Sequence, residues 1–486
     1  MITFVLAFVT VFASLAFNLI ITRTLTPNEY GMWGLINVFF IYAVIAEPAI
    51  GYWVVREIAR KEESGRSAII SSGVLSIGGI LVFIIASLFI GKEVGLDLNI
   101  LLLAVIIIPP KFINGTLGAI NQSWKPHTIS YGIIAMGITQ IPMALLFVYH
   151  LEWGISGLIL SVLTGLLVSN IILGWFAREK INKAFNIKHI KKWTKLSWLP
   201  LYFVIPGVIY KLDIIIFTII TSSVIGLAYW AASLSISTIV SHSGLIARAM
   251  YPKILMGEGD GFLQSNFTQF FYFAIPLTAI VIVFSKPALF VLNPVYAEAY
   301  LIPIFIALRV FFTTFSGVIE NTLLGKDEVD IEDKSNFKDY MRSNLFLMPT
   351  LEMTQHVIYI VLLIIGLIIL VSTSSIIELI IYWAILSLVV RIPFTIYRLI
   401  LLQKIVEIQL EHKIIAKYII TSVIIFGTAF FITDEFLVYD ERLFEFLPNF
   451  LLFTIISIVG YFISTYLIDF RTRNLVHAVF KEIKKK

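Results

Sequence analysis

Two long apolar segments flank a short basic one at residues 154–220, which read GISGLILSVLTGLLVSNIILGWFA, REKINKAFNIKHIKKWTKL and SWLPLYFVIPGVIYKLDIIIFTII. Each apolar segment has about the 20 residues that a helix needs to cross a hydrocarbon core of roughly 30 Å. The middle segment, residues 178–196, carries seven Lys and Arg residues. Short basic loops stay on the cytoplasmic side of a membrane. The pattern therefore predicts two membrane-spanning helices joined by a cytoplasmic connection.

The same alternation extends along the whole chain and predicts about 14 membrane spans. Most of the 36 Lys and Arg residues fall in every second gap between apolar runs or in the C-terminal tail. Both termini are therefore predicted to lie in the cytoplasm, with the protein in the cell membrane. The predicted spans are residues 2–22, 31–54, 68–91, 97–118, 128–149, 154–177, 198–220, 224–247, 267–292, 301–323, 346–371, 375–398, 414–433 and 445–469.

Composition excludes several classes of protein. A chain that is 59% hydrophobic and 14% charged is not a soluble globular protein. The net charge of +5 does not indicate a nucleic-acid partner, because the basic residues lie beside span ends, where anionic lipid headgroups explain them. The absence of Cys excludes disulfides, thiolate catalysis and Cys-ligated metals. No motif predicts a metal or another cofactor.

The predicted architecture is all-α, with two six-helix lobes and two further helices at the C-terminal end. The basic segment 178–196 separates the lobes and has apolar residues at near-helical spacing, which is typical of an amphipathic helix on the inner membrane surface. A solvated basic linker explains the segment equally well. The predicted parts are the N-lobe at 1–177, the connection at 178–196, the C-lobe at 197–400, spans 13 and 14 at 401–470, and a basic tail at 471–486.

The two lobes are predicted to be repeats of one another. Thr26 aligns with Thr221, and Gly31 with Gly226, at the same offset along the chain. Thr26 and Gly31 lie in one tight hairpin between two predicted spans, and Thr221 and Gly226 lie in another. A repeat of six spans keeps its orientation, so the lobes are predicted to be parallel repeats around a central cavity, as in some transporters.

Charged residues within or beside the predicted spans are the candidates for function, because charge inside hydrocarbon normally faces a partner or a cavity. If the cations face one cavity, they form a ladder of positive sites for an anionic headgroup, since Arg binds phosphate in a bidentate way. Acidic residues there would exchange a proton or a sodium ion. Static ion pairs and snorkelling side chains explain each charge about as well. The cationic candidates are Arg23, Arg56, Lys211, Arg248, Arg309 and Arg391, and the ion-coupling candidates are Glu47 and Asp213.

Several segments resemble those of polysaccharide-type flippases. Residues 22–31, TRTLTPNEYG, are similar to the end of the first span in that family, where Arg, Leu, Pro and Glu-Tyr-Gly recur. Residues 47–61 resemble its second-span exit, residues 226–232 the entry to its eighth span, and residues 295–299 the segment before its tenth. Asp213 resembles the acidic position in its seventh span. The chain is thereby identified as similar to the Wzx-type, oligosaccharide-lipid branch of the multidrug/oligosaccharidyl-lipid/polysaccharide exporter (MOP) superfamily.

The resemblance covers about residues 1–325, and it implies alternating access between two lobes. The implied substrate is a polyprenyl-linked anionic glycan that moves from the inner to the outer leaflet, with membrane lipids and glycan-assembly enzymes as partners. Arg23, Arg56 and Arg248 match cationic positions that face the lipid diphosphate in such flippases. The assignment of Lys211, Arg309 and Arg391 rests only on their predicted depth within the membrane. Beyond the acidic gap at 326–344 the family pattern weakens, and neither the glycan nor the oligomeric state follows from the sequence.

Two alternative functions stay open. A cation-coupled multidrug or small-molecule exporter of the same superfamily would favour acidic and aromatic cavity residues over a run of cations. An integral membrane glycosyltransferase or polymerase would need a sizeable outer loop or metal-binding carboxylates near a membrane surface. The acidic outer gap at 434–442 is short for that purpose.

Overall fold

The computed structural model describes residues 2–91, 95, 97–244, 260–327, 341–406, 411–474 and 477. Within these ranges the regular secondary structure is entirely helical. A chain of alternating apolar runs and short gaps has no other way to satisfy its backbone polar groups in hydrocarbon, apart from a closed barrel.

The helices of the first half begin near the N-terminus and continue to the basic connection and beyond. Two of them, α4 and α7, are extended by π-helical turns at Ser87–Gly91 and Leu145–His150. The helices are α1 (Ile2–Thr24), α2 (Pro27–Ala43), α3 (Glu47–Ala59), α4 (Gly65–Ala86), α5 (Leu98–Val105), α6 (Ile108–Trp124), α7 (His127–Ala144), α8 (Gly154–Ile181), α9 (Ile187–Leu196), α10 (Trp198–Tyr210) and α11 (Leu212–Thr221).

The helices of the second half are longer on average. Short 3-10 helices at Thr238–Gly244 and Pro294–Ala299 follow α12 and α13. The helices are α12 (Ile225–Ser237), α13 (Asp260–Leu292), α14 (Leu301–Gly325), α15 (Asn344–Leu370), α16 (Ile376–Ile405), α17 (His412–Phe436) and α18 (Leu443–Ile468).

Within the described residues, 11 helical segments are long and apolar enough to cross a membrane, with α5 and α6 counted as one segment and α10 and α11 as another, or up to 12 if the bent pair α2 and α3 forms one span. The bend between α2 and α3 is 55°. The first predicted span is helical over Ile2–Thr24, and the eighth is helical from Ile225 to Gly244. An all-helical, multi-pass membrane protein is therefore confirmed, whereas the total of 14 spans stays a prediction.

Contacts divide the chain into two compact units, residues 1–231 with 356–376, and residues 232–355 with 377–486. In the first unit, an apolar cluster joins α3, α4, α6, α8 and α9, with Trp193 of α9 almost fully buried in it. In the second unit, aromatic residues of α13 pack against α14, α15 and α16, and a further cluster joins α13 to α17 and α18. The division into lobes at residues 178–196 stays a prediction, although residues 187–196 are helical.

The hairpin between α1 and α2 shows how the local sequence sets a helix boundary. Thr26 caps α2 through a capping box, in which its hydroxyl accepts from the Glu29 N–H and its own N–H donates to Glu29 Oε2 at 2.9 Å. Pro27 occupies the first turn, where a missing N–H costs nothing. The Thr-Pro-Asn-Glu sequence therefore ends one helix and starts the next within a few residues.

Gly31 lies where two segments of the first unit approach each other closely. A Cβ at this position would overlap the backbone carbonyl oxygen of Val224, which precedes α12. Gly31 and Gly226 belong to the two hairpins that the sequence aligns, so the start of α2 meets the hairpin that leads into α12. Only glycine permits such a close backbone approach.

We expect Gly31→Ala to destabilise the protein by about 1–3 kcal/mol, because the added methyl group forces α2 away from the Val224 carbonyl. The thermal midpoint of the purified protein in detergent should fall by several degrees. Gly78→Ala is the matched control, since Gly78 is also helical but has nothing within 4 Å of its would-be Cβ. Equal midpoints for the two variants would contradict the packing argument.

Candidate functional site

A buried acidic residue marks the break between α10 and α11. Asp213 lies in the first turn of α11 with only 1% of its surface exposed. Its Oδ2 atom accepts a hydrogen bond from the Tyr359 hydroxyl at 3.0 Å, and its Oδ1 accepts from the backbone N–H of Ile214 at 2.8 Å. A carboxylate is also favoured at a helix N-terminus, where the free N–H groups point toward it. The fold therefore holds this acid in one position.

Aromatic rings surround the same break. The Tyr210 ring lies 5.8 Å from that of Tyr359 and 5.1 Å from that of His356, and the Nδ1 atom of His356 is 2.8 Å from the Pro206 carbonyl oxygen. Lys211 connects the two helices, and its Nζ lies 5.5 Å from the Tyr210 ring centroid. Lys211 and Asp213 thus have different neighbours, as residues two apart on a helix should.

A second acid and a lysine lie on the neighbouring helices α3 and α6. The Glu47 carboxylate fills the space beside Gly115 of α6, where a Cβ would overlap it. One turn earlier on α6, the Lys111 Nζ lies 5.1 Å from the Phe40 ring centroid. Within the described ranges, neither Glu47 nor Lys111 forms an ion pair or a side-chain hydrogen bond. Both side chains are half-buried, so their polar ends remain accessible to solvent or to a ligand.

A network of buried charges lies in the second unit. Arg391 and Arg398 project from α16, two turns apart, and both are almost fully buried. Glu352 of α15 accepts from both arginines, at 2.9 Å from Arg391 Nη1 and 2.8 Å from Arg398 Nη2. One carboxylate therefore binds two guanidinium groups through its two oxygen atoms.

Neutral polar groups complete this network. Gln355 accepts a further bond from Arg391 at 3.1 Å, and Ser316 of α14 accepts from Arg398 at 3.1 Å. Glu320, one turn after Ser316, lies close enough to interact electrostatically with Glu352 and both arginines. If all four groups are ionised, the network carries no net charge, and its close pairing and hydrogen bonds offset the cost of burying the charges.

Comparison with known proteins settles the family. Residues 20–292 match the model of a family described as "Polysaccharide biosynthesis protein". The chain belongs to this family. No curated protein sequence matches it.

Solved structures show the fold of this polysaccharide biosynthesis protein. The lipid II flippase MurJ in an inward closed conformation aligns with a TM-score of 0.66 and 16% identity, over 98% of this chain and 100% of that chain. An inward-facing multidrug resistance MATE family transporter of the MOP superfamily aligns with a TM-score of 0.58 and 12% identity, over 81% of this chain and 95% of that chain. The Vibrio cholerae MATE transporter VcmN in the bent form aligns with a TM-score of 0.51 and 12% identity, over 82% and 96%. The fold is that of the MOP superfamily.

The predicted site residues of this polysaccharide biosynthesis protein fall into both units. Arg23 is half-buried in the last turn of α1, and Arg56 is exposed near the end of α3, with its guanidinium 3.8 Å from the Tyr52 ring centroid. Arg309 is half-buried on α14. Arg248 lies outside the described residues. The ladder through one cavity therefore stays a prediction.

Lys111, Glu352 and Arg398 were not among the predicted site residues. Lys111 lies within the predicted span 97–118 and Arg398 at the end of the predicted span 375–398, and the charge count groups both with the gaps. In the structure Lys111 is in the first turn of α6, whereas Arg398 is inside α16, which continues to Ile405. Glu352 pairs with both arginines of α16. The spacing of Arg391 and Arg398, which puts them on one face of a helix, was the available signal.

We expect Glu352→Ala to destabilise the protein by about 3–5 kcal/mol, because it leaves two buried guanidinium groups without their carboxylate. Thermal unfolding of the purified protein measures the effect. Glu445→Gln is the control, since Glu445 forms an ion pair with Arg442 at 2.6 Å on an exposed surface. The control should leave the unfolding midpoint unchanged. A midpoint for Glu352→Ala equal to that of the control would show that the buried network does not stabilise the fold.

Proposed function

We propose that this protein is a flippase. Its substrate is an oligosaccharide linked to a polyprenyl phosphate or diphosphate, which it moves from the inner to the outer leaflet by alternating access. The family description points to polysaccharide biosynthesis, and no enzyme family is indicated. A lipid II flippase is among the solved structures with a similar fold, and it aligns over 98% of this chain. The glycolipid would serve assembly of a cell-surface polysaccharide or of glycoprotein glycans, beside the enzymes that build it.

The observation that carries this proposal is the presence of lysines in the spans without carboxylate partners. Lys111 and Lys211 lie beside aromatic rings at 5.1 and 5.5 Å, and neither forms an ion pair within the described residues. A desolvated cation in hydrocarbon is costly, so it is retained where it meets water or an anionic ligand. A lipid diphosphate supplies such an anion.

The proposed arrangement has 14 spans in two parallel six-helix lobes, with both termini in the cytoplasm. Substrate phosphate would contact Arg23, Arg56 and Arg248 near the ends of spans, and Lys211, Arg309 and Lys111 deeper within them. Arg391 belongs to a different class, because Glu352 already neutralises it. We therefore assign Arg391 to the stability of the second unit rather than to phosphate binding.

Ion coupling is proposed at Asp213 and Glu47. The Asp213 carboxylate and the Tyr359 hydroxyl bonded to it offer oxygen ligands of the kind that hard cations such as Na⁺ take, and the carboxylate alone is able to bind a proton. Glu47 has no side-chain hydrogen bond within the described residues. Its accessible carboxylate is able to exchange a proton during the transport cycle.

A cation-coupled multidrug exporter is the second candidate. The combination of Asp213 with Tyr210, Tyr359 and His356 favours it, because an acid among aromatic rings suits an organic cation. The MATE transporters align over only 81–82% of this chain, however, whereas the lipid II flippase aligns over 98%. This difference supports the flippase.

Reconstitution in liposomes with a fluorescent polyprenyl-diphosphate sugar tests the function directly. The wild-type protein should exchange the lipid between leaflets faster than protein-free vesicles do. We expect Lys111→Gln, Lys211→Gln and Arg309→Gln each to lower the rate at least tenfold, because each removes a charge that offsets the phosphate. Lys111→Arg and Lys211→Arg should retain most of it.

Lys183→Gln serves as the control, because Lys183 forms an exposed ion pair with Glu63 at 2.7 Å and lies outside the spans, just beyond the end of α8. It should transport at the wild-type rate. Exchange no faster than in empty vesicles would overturn the flippase proposal. Full transport by the Gln variants would overturn the role of the cations while leaving the flippase intact. Transport of organic cations by these vesicles, without exchange of the glycolipid, would favour the exporter.

We expect Asp213→Asn and Glu47→Gln to remove the response of transport to an ion gradient. Vesicles with a proton gradient and vesicles with a sodium gradient are compared with vesicles that have neither. Tyr359→Phe keeps the carboxylate of Asp213 and removes one hydroxyl, so it should weaken the response less than Asp213→Asn does. A full gradient response in both acid variants would exclude these two residues as the coupling site.

A further inference from the structure

A cluster of metal-binding side chains lies where α9 packs on the end of α3, within the first unit. Glu57 is in the last turn of α3 and is 2% exposed. The chain then turns at Lys61, whose φ is +67°, and the Glu62 N–H donates to the Glu57 carbonyl at 2.9 Å. His189 comes from the first turn of α9, which Asn186 caps by accepting from the Lys188 N–H. Two local turns thus bring three side chains together.

The three ligand atoms lie within 4.8 Å of one another. The His189 Nδ1 is 3.0 Å from Glu57 Oε2 and 3.9 Å from Glu62 Oε2. Although Glu57 Oε2 is buried and close to His189, it forms no hydrogen bond. A buried carboxylate oxygen without a donor is costly, and such an atom usually faces an ion or a water molecule. The Glu57 oxygen therefore points to a ligand.

The spacing and the donor types fit a divalent transition metal. Ligand atoms at about 2.0–2.2 Å from a tetrahedral Zn²⁺ lie roughly 3.3–3.6 Å apart, so small shifts would close this set around an ion. One imidazole and two carboxylates suit Zn²⁺ or Mn²⁺, and the Irving–Williams order puts Zn²⁺ ahead. Two carboxylate charges offset the charge of the ion.

Lys192 places a positive charge beside Glu57. Its ammonium donates to the other oxygen of Glu57, Oε1, at 2.9 Å. The ammonium of a lysine is positive at neutral pH. Lys192 thus leaves Glu57 Oε2 for a monodentate ligand bond, and its charge opposes the binding of a second cation nearby.

We propose that Glu57, Glu62 and His189 form a divalent-metal site, with Zn²⁺ as the preferred ion. The metal would clamp α9, the helix within the basic connection, onto the end of α3. Three protein ligands leave one tetrahedral position for water.

Equilibrium dialysis of the purified full-length protein against Zn²⁺ and Mn²⁺, with metal counted by mass spectrometry, tests the site. We expect one Zn²⁺ per chain and weaker binding of Mn²⁺. His189→Gln and Glu62→Gln should each weaken Zn²⁺ binding by at least tenfold. His127→Gln, which changes an exposed histidine of α7, is the matched control and should bind as the wild type does.

Lys192→Met separates a metal site from a simple ion-pair cluster. Removing the positive charge beside the metal should tighten Zn²⁺ binding by several-fold. If the cluster serves only as an ion pair, Lys192→Met loosens α9 and does not strengthen metal binding. Zn²⁺ should also raise the unfolding midpoint of the wild type but not that of Glu62→Gln.

If His189→Gln fails to fold, the Glu62→Gln variant still tests the proposal. The Glu62 side chain is 42% exposed, so its replacement should not disturb the fold. Zn²⁺ binding that is equal in the wild type and in Glu62→Gln would overturn the proposal. So would the absence of one bound Zn²⁺ per wild-type chain, or a Lys192→Met variant that binds no more tightly than the wild type.

Discussion

Charge placed in a hydrocarbon layer needs a partner, and this requirement accounts for where the interior side chains of this protein lie. In the second unit, Glu352 satisfies it for two arginines at once. In the first unit, Lys111 and Lys211 lie beside aromatic rings instead. The protein therefore contains two kinds of interior charge. One is neutralised within the fold, and the other is available to water or to a ligand.

Much of the fold follows from local sequence, because a membrane leaves the chain few choices. Apolar runs of sufficient length predict helices, and the structure places helices across all the predicted spans in the described ranges. Thr26 and Glu29 set the start of α2 through contacts three residues apart, which is why a short motif was informative. The resemblance to the MOP superfamily, drawn from such short segments, is confirmed by the family match and by the fold.

The partners of the interior charges could not be predicted, since they lie far apart along the chain. Arg391 and Glu352 are 39 residues apart along the chain, and Arg398 and Glu352 are 46 apart. Which helix faces which depends on packing that hydropathy does not encode. The intramembrane position of Arg391 was predicted from sequence, whereas its neutralisation by Glu352 required the structure.

A count of Lys and Arg residues does not separate basic residues that lie in gaps from those that bind other helices. Helix α16 continues to Ile405, beyond the end of its predicted span, so Arg398 is buried within the helix rather than lying in a gap. On α9, all three of Lys188, Lys191 and Lys192 are exposed, but only Lys192 forms an ion pair within the described residues, with Glu57. Basic residues without such a partner respond freely to anionic headgroups and thereby set orientation. A basic gap therefore combines residues that orient the chain with residues that hold helices together, and only tertiary contacts separate the two.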